Sequence, residues 1–269
     1  MRIRVVDAFA DRPFTGNPAG VCLLEAGAWP DGAWMQTVAA EMQHAETAFA
    51  RPSERADADW DLRWFTPTIE VDLCGHATLA TTHALVSDGL VSGKVSFATR
   101  SGVLTAAIDD GWITLDFPVN RPAVAEVPAG LVEALGAEPV SVHSTGELSD
   151  VLVVLADEAA VRALAPDLGR VKALNQRDRN RGTIVTAPAD SGYDFVSRFF
   201  APASGIPEDP VCGSAHTALA PYWAERLGRD ELVGYQASAR GGVVRVATVG
   251  DRVQLTGQAV TTLDGQLLV

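Results

Sequence analysis

The chain has 269 residues, of which 47% are hydrophobic, so it can bury a large apolar core, and its length suggests about two domains. The net charge of −13 and the absence of any run of Lys and Arg argue against a nucleic-acid partner, because phosphate binding needs clustered positive charge. No apolar stretch reaches the roughly 18 residues of a membrane span, and the first residues lack the apolar core of a signal peptide. We therefore expect a cytoplasmic protein without a membrane partner.

A turn and a buried strand are predicted near the start of the chain. Asn17 lies in the segment FTGNPAG, whose composition is typical of a turn, and it is a candidate substrate-binding residue. Cys22 follows in an apolar strand and is predicted to be a core residue. The other cysteines, Cys74 and Cys212, lie far away in the sequence, and no CxxC pair occurs. This pattern indicates free thiols in a reducing compartment.

A helix is predicted at residues 33–42, where the large apolar side chains share one face. It leads into the strand-like segment AETAFA, which contains Glu46. A carboxyl group in such apolar surroundings is costly to bury, and burial raises its pKa, as a proton shuttle at neutral pH requires. The alternative is a half-exposed strand end.

Cys74-Gly75 is followed by the run HATLATTHALV, which begins with His76. This run is apolar or small on nearly every face and predicts a buried helix. Backbone N–H groups at a helix start have no partner within the helix and lie at its positive end. They can bind a carboxylate or lower the pKa of a thiol. His76 is therefore either a catalytic residue or a core histidine. Farther on, residues 103–108 and 112–117 predict an antiparallel hairpin.

Residues 118–130 carry three prolines and are predicted to be a linker that separates a first half, 1–120, from a second half, 121–269. Beyond it the sequence repeats itself. Arg63–Pro67 matches Arg198–Pro202 at an offset of 135 residues, and Cys74-Gly75-His76 matches Cys212-Gly213-Ser214 at an offset of 138. Two homologous halves with pseudo-symmetry are the expected result, with strands that can swap near the termini.

The second half carries its own candidate groups. Asp209 precedes the turn Cys212-Gly213-Ser214 by three residues, and is either a turn former or an acid/base group. The helix after this turn contains Pro221, which either kinks the helix or marks its true start. If the halves pack about a pseudo-twofold axis, the two turns would hold one carboxylate substrate from both sides.

Metal and cofactor motifs are missing from the sequence. The five histidines form no HxxxH or HxH pattern, and there is no GxGxxG, no Walker loop and no GxSxG. We expect neither a metal nor an organic cofactor.

Four segments in order, VDAFADRPFTGNPAGV, AETAFA, RWFTPTIEVDLCGHATLAT and RFFAPASGIPEDPVCGSAHTAL, resemble the PhzF family of phenazine-biosynthesis-type isomerases, within the diaminopimelate epimerase-like superfamily. The resemblance covers essentially the whole chain. It implies an α+β fold with two pseudo-symmetric domains, each an antiparallel, barrel-like sheet around a central helix. It also implies an active site between the domains and a homodimer.

The resemblance further implies roles for individual residues. Glu46 would move a proton between carbons of 2,3-dihydro-3-hydroxyanthranilate, assisted by His76 and Asp209. Ser214 and the backbone amides of both turns, including Gly75 and Gly213, would contact the substrate carboxylate.

Two alternatives remain open. Diaminopimelate epimerases use one cysteine at each Cys-Gly turn as acid and base, and this chain has both Cys74 and Cys212, whereas the second position is typically threonine in PhzF itself. A two-cysteine amino-acid racemase or epimerase is therefore the first alternative. The second is a member without catalytic activity that binds a small metabolite.

Overall fold

The computed structural model describes residues 1–268, which form two compact units. The first unit contains Met1–Asp116 together with the C-terminal residues from Thr256 onward, and the second contains Phe117–Leu255. The described residues form 18 strands and six α-helices. No helix among them combines the length and the apolar character that crossing a membrane requires.

Ten elements precede the predicted linker region. They are β1 (Arg2–Ala8), β2 (Asn17–Leu23), α1 (Gly32–Met42), β3 (Glu46–Pro52), β4 (Trp60–Phe65), β5 (Glu70–Val71), α2 (Gly75–Ser87), β6 (Lys94–Thr99), β7 (Gly102–Asp109) and β8 (Trp112–Pro118). The predicted helix at 33–42 and the predicted hairpin of β7 and β8 are both confirmed.

The remaining elements begin in the predicted linker region. They are β9 (Ala123–Ala125), α3 (Leu131–Leu135), β10 (Ser141–Ser144), β11 (Asp150–Val154), α4 (Glu158–Ala163), α5 (Leu168–Asp178), β12 (Gly182–Pro188), β13 (Phe195–Ala201), β14 (Ile206–Asp209), α6 (Gly213–Leu227), β15 (Glu231–Gln236), β16 (Gly242–Val249), β17 (Arg252–Gly257) and β18 (Ala259–Gln266).

The strand pairing of the first unit recurs in the second, nine strands later. In the first unit β1–β2, β3–β4, β4–β5 and β6–β7 are antiparallel, and β2–β3 and β4–β6 are parallel. In the second unit β10–β11, β12–β13, β13–β14 and β15–β16 are antiparallel, and β11–β12 and β13–β15 are parallel. The repeat in the sequence is thus a repeat of topology.

The sheets contain parallel as well as antiparallel pairs, which corrects the expectation of antiparallel sheets, while the α+β class is confirmed. Each parallel pair joins strands between which the chain makes a helical crossover: α1 lies between β2 and β3, and α2 lies between β4 and β6. Strands with the same direction need a connection of this kind, whereas a tight turn joins antiparallel neighbours.

The end strand of each half pairs with the first strand of the other half. β18 lies antiparallel to β1 with Arg2 opposite Gln266, and β9 lies antiparallel to β10. The C-terminal strand therefore completes the first unit, and β9 takes the corresponding place in the second.

Each Cys-Gly turn begins a buried helix, as predicted. Nine of the thirteen residues of α2 are buried, and this helix packs against β1, β2, β3 and β18. Pro221 lies inside α6 and does not mark its start. Proline has no N–H to donate to the carbonyl four residues earlier, that of Thr217. This carbonyl instead accepts the backbone N–H of Asn120, at 3.2 Å.

Candidate active site

The first Cys-Gly turn forms the N-terminal end of α2. Cys74 is the N-cap residue in an extended conformation, and the helix begins at Gly75. The side chain of Cys74 caps no backbone N–H, and its carbonyl oxygen accepts a hydrogen bond from the Thr78 hydroxyl at 2.6 Å. The sulfur is therefore directed away from the helix ladder and towards other side chains.

Glu46, Cys74 and His76 form a cluster at this turn. Nε2 of His76 lies 3.3 Å from Oε2 of Glu46, and Nδ1 of the same ring lies 3.5 Å from Sγ of Cys74. The side chains of Glu46 and His76 are 13% and 7% exposed. The imidazole thus stands between a thiol and a carboxyl group at the start of a helix. The structure brings these residues together although 28 residues separate Glu46 from Cys74.

Burial determines the charge of this imidazole. Burial, and to a lesser extent the nearby His44, lowers the pKa of His76 from 6.5 to about 3. His76 is therefore neutral at neutral pH, and its contact with Glu46 is not an ion pair. A neutral ring does not hold the carboxyl group of Glu46 in an ion pair, so that group can gain and lose the mobile proton.

The three side chains could also serve as metal ligands. One ligand atom from each lies within 4.8 Å of the others, and thiolate, imidazole and carboxylate are donors that zinc accepts. The sequence spacing contained no metal pattern because the carboxylate comes from β3, whereas Cys74 and His76 lie at the start of α2.

Asn17 lies at the first position of β2 and is fully buried. In the parallel pairing of β2 with β3, Ala19 is opposite Glu46. Residues two apart on a strand share a face, so Asn17 lies on the same face of the sheet as Glu46. Gly16, just before it, has a φ of +66°, and a Cβ atom there would lie 2.1 Å from the carbonyl oxygen of Ala8. Only glycine can therefore occupy this position, directly before Asn17.

The second unit contains the equivalent turn. Cys212 is the N-cap residue of α6, its sulfur lies 3.3 Å from Oγ of Ser214, and its carbonyl oxygen lies 2.8 Å from Nδ1 of His216. Burial, together with the charge of Asp209, raises the pKa of Cys212 to about 12. The Cys212 side chain is a thiol at neutral pH.

Gln236 connects Asp209 to this turn and escaped the sequence analysis. Its buried side chain donates through Nε2 to the carbonyl oxygen of Asp209 at 2.6 Å, and its Oε1 accepts the backbone N–H of Cys212 at 2.9 Å. One amide group therefore fixes both ends of the segment between β14 and α6. The glutamine lies on β15, and nothing in its local sequence indicates this contact.

Arg181 and Asp150 were missed as well. Nη1 of Arg181 donates to Oγ of Ser214 at 2.8 Å, Nε donates to Oδ1 of Asp150 at 3.0 Å, and Nη2 donates to Oδ2 of Asp150. Burial raises the pKa of Asp150 although Arg181 opposes that shift. Arg181 lies at the end of the run RDRNR, which spans the last residues of α5 and the three that follow. The composition of this run is that of a solvated surface, and so it gave no sign of a buried partner.

The predicted residues therefore fall into two groups. Glu46, Cys74, Gly75 and His76 come together in the first unit, with Asn17 on the same sheet face as Glu46. Asp209, Cys212, Gly213 and Ser214 lie at the turn of the second unit.

The chain is similar to several known proteins over almost its whole length. The family model described as phenazine biosynthesis-like protein, PhzC-PhzF, matches residues 6–265. A protein of Pseudomonas aeruginosa described as an uncharacterized isomerase is 48% identical over 97% of this chain and 96% of its own length. Another, from Halalkalibacterium halodurans and with the same description, is 45% identical over 99% and 98%.

Among solved structures, a PhzF-family phenazine biosynthesis protein of Enterococcus faecalis superposes with a TM-score of 0.93 at 40% identity, covering 100% of this chain and 99% of that one.

Proposed function

Because the chain belongs to the PhzC-PhzF family of phenazine biosynthesis-like proteins, we propose that it is an isomerase that moves a proton between two carbons of a small carboxylate metabolite without a cofactor. Glu46 carries the proton. The observation that carries the proposal is the contact of Glu46 with a buried, neutral His76 at the start of α2. The curated relatives named above are described as isomerases, which supports the reaction class.

The proposed reaction has two steps. The Glu46 carboxylate first takes a proton from a carbon that is acidified by conjugation, which leaves a delocalised anion and a neutral carboxylic acid. The acid then returns the same proton to a different carbon of that anion, so the bonds and charges balance. His76 does not compete for the proton because its own pKa is about 3. Asp209 assists by holding a proton for the substrate, and the turn amides bind the substrate carboxylate.

One group suffices for this transfer, since the proton leaves and returns on one face. A racemase needs two groups on opposite faces, of which one must start as a thiolate if both are cysteines. The raised pKa of Cys212, about 12, disfavours a thiolate there. The racemase remains a candidate only because Cys74 and Cys212 occupy equivalent N-cap positions.

The test is a comparison of single substitutions. With 2,3-dihydro-3-hydroxyanthranilate as the first substrate, we expect Glu46→Gln to lower kcat by about 10²- to 10⁴-fold, the usual worth of a general acid/base. Cys74→Ser and Cys212→Ser should keep activity within about tenfold. Glu41→Gln, an exposed carboxylate at the end of α1, is the matched control and should match the wild type.

Opposite results would select an alternative. Full activity of Glu46→Gln, with loss of activity in both serine variants and deuterium uptake from D₂O at Cα of an amino acid, would establish the racemase. Ligand stabilisation against heat without turnover of any carboxylate or amino acid would establish the member without catalytic activity.

The family resemblance also leads us to propose a cytoplasmic homodimer. The three free cysteines, all buried, fit a reducing compartment. Light scattering after size exclusion should give twice the mass of the 28.3 kDa chain, and a single chain mass would refute the dimer.

A further inference from the structure

We infer that Arg181, held in place by Asp150, is a positioning residue that fixes the Ser214 hydroxyl as a hydrogen-bond donor and makes the second turn selective for a carboxylate. This inference rests on the proposed function, because it describes how the same site selects its substrate. It adds two residues to the site that neither motif nor spacing indicated.

Asp150 holds the guanidinium group of Arg181 in a fixed orientation. The Asp150 side chain is fully buried at the first position of β11, and both its oxygens accept from Arg181. The Arg181 side chain is 36% exposed, and its guanidinium group lies over the ring of Phe199, with 5.1 Å between Cζ and the ring centroid. One N–H of Nη1 points at Oγ of Ser214 across 2.8 Å. A bidentate grip and a stacked ring leave this donor little freedom.

The chemistry of the groups sets the direction of the next hydrogen bond. A guanidinium group has N–H donors and no acceptor, so Ser214 Oγ must accept from Arg181. The hydroxyl hydrogen must then point elsewhere. Its neighbour in the structure is Sγ of Cys212 at 3.3 Å, and a thiol sulfur is a weak acceptor. An oxygen of a bound ligand would therefore take this hydrogen in preference to the sulfur.

The other groups at the turn are donors too. The first backbone N–H groups of α6 have no acceptor within the helix. A carboxylate accepts through both oxygens and satisfies an array made only of donors. A carboxamide has one acceptor oxygen, and its NH₂ group would oppose a donor. Because Asp150 balances the charge of Arg181, the selectivity comes from the direction of the donors rather than from net charge.

The second unit contains a matched pair for a control. Arg162 grips Glu158, whose side chain is 4% exposed, while Arg162 itself is 43% exposed. Its Cζ lies 5.0 Å from the ring centroid of Tyr235. Exposure, carboxylate burial and aromatic stacking thus resemble those of Arg181 and Asp150. The hydrogen bond to a turn hydroxyl is the feature that distinguishes Arg181.

The experiment measures binding of anthranilate and of anthranilamide by titration calorimetry. We expect the wild type to bind the carboxylate at least about tenfold more tightly than the amide, as one charge-assisted hydrogen bond allows. Arg181→Gln and Ser214→Ala should each lower this ratio by at least about threefold, while the backbone N–H groups retain part of the preference, and Arg162→Gln should leave it unchanged. Both ligands are measured on the same variant. A general loss of folded protein therefore affects both measurements equally and does not change the ratio of the two affinities.

The double variant tests whether Arg181 acts through Ser214. In the Ser214→Ala background, Arg181→Gln should produce no further loss of the ratio, whereas independent effects would add. The inference is overturned if Arg181→Gln leaves the ratio unchanged, if the two losses add, or if the wild type does not prefer the carboxylate. Glu46→Gln should keep the preference, so failure of the proposed proton transfer would be seen separately.

Discussion

The two N-cap cysteines share one local design. The carbonyl oxygen of each accepts a hydrogen bond from the side chain four residues later, Thr78 in α2 and His216 in α6. The sulfur of each faces the side chain two residues later, which is His76 in the first turn and Ser214 in the second. The backbone has kept its form while these side chains differ. This one difference gives the first turn an imidazole and the second a hydroxyl.

His216 makes a testable contribution to acid stability. It is fully buried, Nδ1 bonds the Cys212 carbonyl, and Nε2 has no acceptor among the described residues. Burial lowers its pKa from 6.5 to about 4. Between pH 6.5 and 4, His216 is protonated in the unfolded chain but neutral in the folded protein. The free energy of unfolding therefore decreases as the pH falls from 6.5 towards 4.

We expect His216→Gln to remove this dependence. Between pH 7 and pH 5 the wild type should lose about 2 kcal/mol more unfolding free energy than the variant, since one pKa unit corresponds to about 1.36 kcal/mol. Urea denaturation at several pH values measures the difference. An equal loss in both proteins would show that His216 is not the group that titrates.

At the scale of elements, one clamp occurs twice. Arg63 on β4 grips Glu70 on β5 through two hydrogen bonds of 2.7 Å, and Arg198 on β13 grips Glu208 on β14 at 2.7 and 2.9 Å. Each guanidinium also lies over a phenylalanine two residues later on its own strand. The clamp ties the short strand that leads to each Cys-Gly turn, and Glu208 directly precedes Asp209.

Breaking the second clamp, between Arg198 and Glu208, should loosen β14, the short strand that leads to the second Cys-Gly turn. Glu208→Gln removes the charge from a mostly buried pair, and we expect the unfolding free energy to fall by about 1–3 kcal/mol. The activity of the folded variant should also fall, because Asp209 shares the strand. Asp57→Asn breaks the exposed pair with Arg55 and should change neither quantity measurably. Equal effects of the two substitutions would refute a special role for the clamp.

At the scale of the whole molecule, the chain termini meet within one unit. The N-terminal amino group donates to the carbonyl oxygen of Leu267 at 2.9 Å, and β18 runs beside β1. Arg4 is buried and reaches Asp264 of β18 and Asp88 at the end of α2. The first unit is therefore complete only with residues that the chain supplies last.

Rearranging the chain tests this dependence. Residues 1–118 alone should be cleaved rapidly by protease, because β1 would present an unpaired edge. Residues 256–267 joined by a short glycine linker ahead of residues 1–118 should resist cleavage, since β18 then forms a hairpin with β1. Limited proteolysis followed by mass spectrometry compares the two. Similar cleavage of both would show that β18 is dispensable to the unit.

Features that depend on neighbouring residues could be predicted from the sequence alone. The helix starts at Gly75 and Gly213, the hairpin of β7 and β8 and the repeat all follow from local spacing and periodicity. The α+β class and the family followed from the same segments. Such features need only the order of residue types along a short stretch, since backbone hydrogen bonds in helices and tight hairpins join residues close in sequence.

The contacts between side chains that are distant in the sequence could not be predicted in this way, because they depend on the complete fold. Arg181 reaches Ser214 across 33 residues, Gln236 reaches Cys212 across 24, and β18 reaches β1 across the length of the chain. An arginine in a charged run has the same local sequence whether it lies in solvent or grips a buried aspartate. Its partner is set by strand pairing and crossovers, which bring remote segments together through burial and hydrogen bonding, and these are properties of the folded chain as a whole.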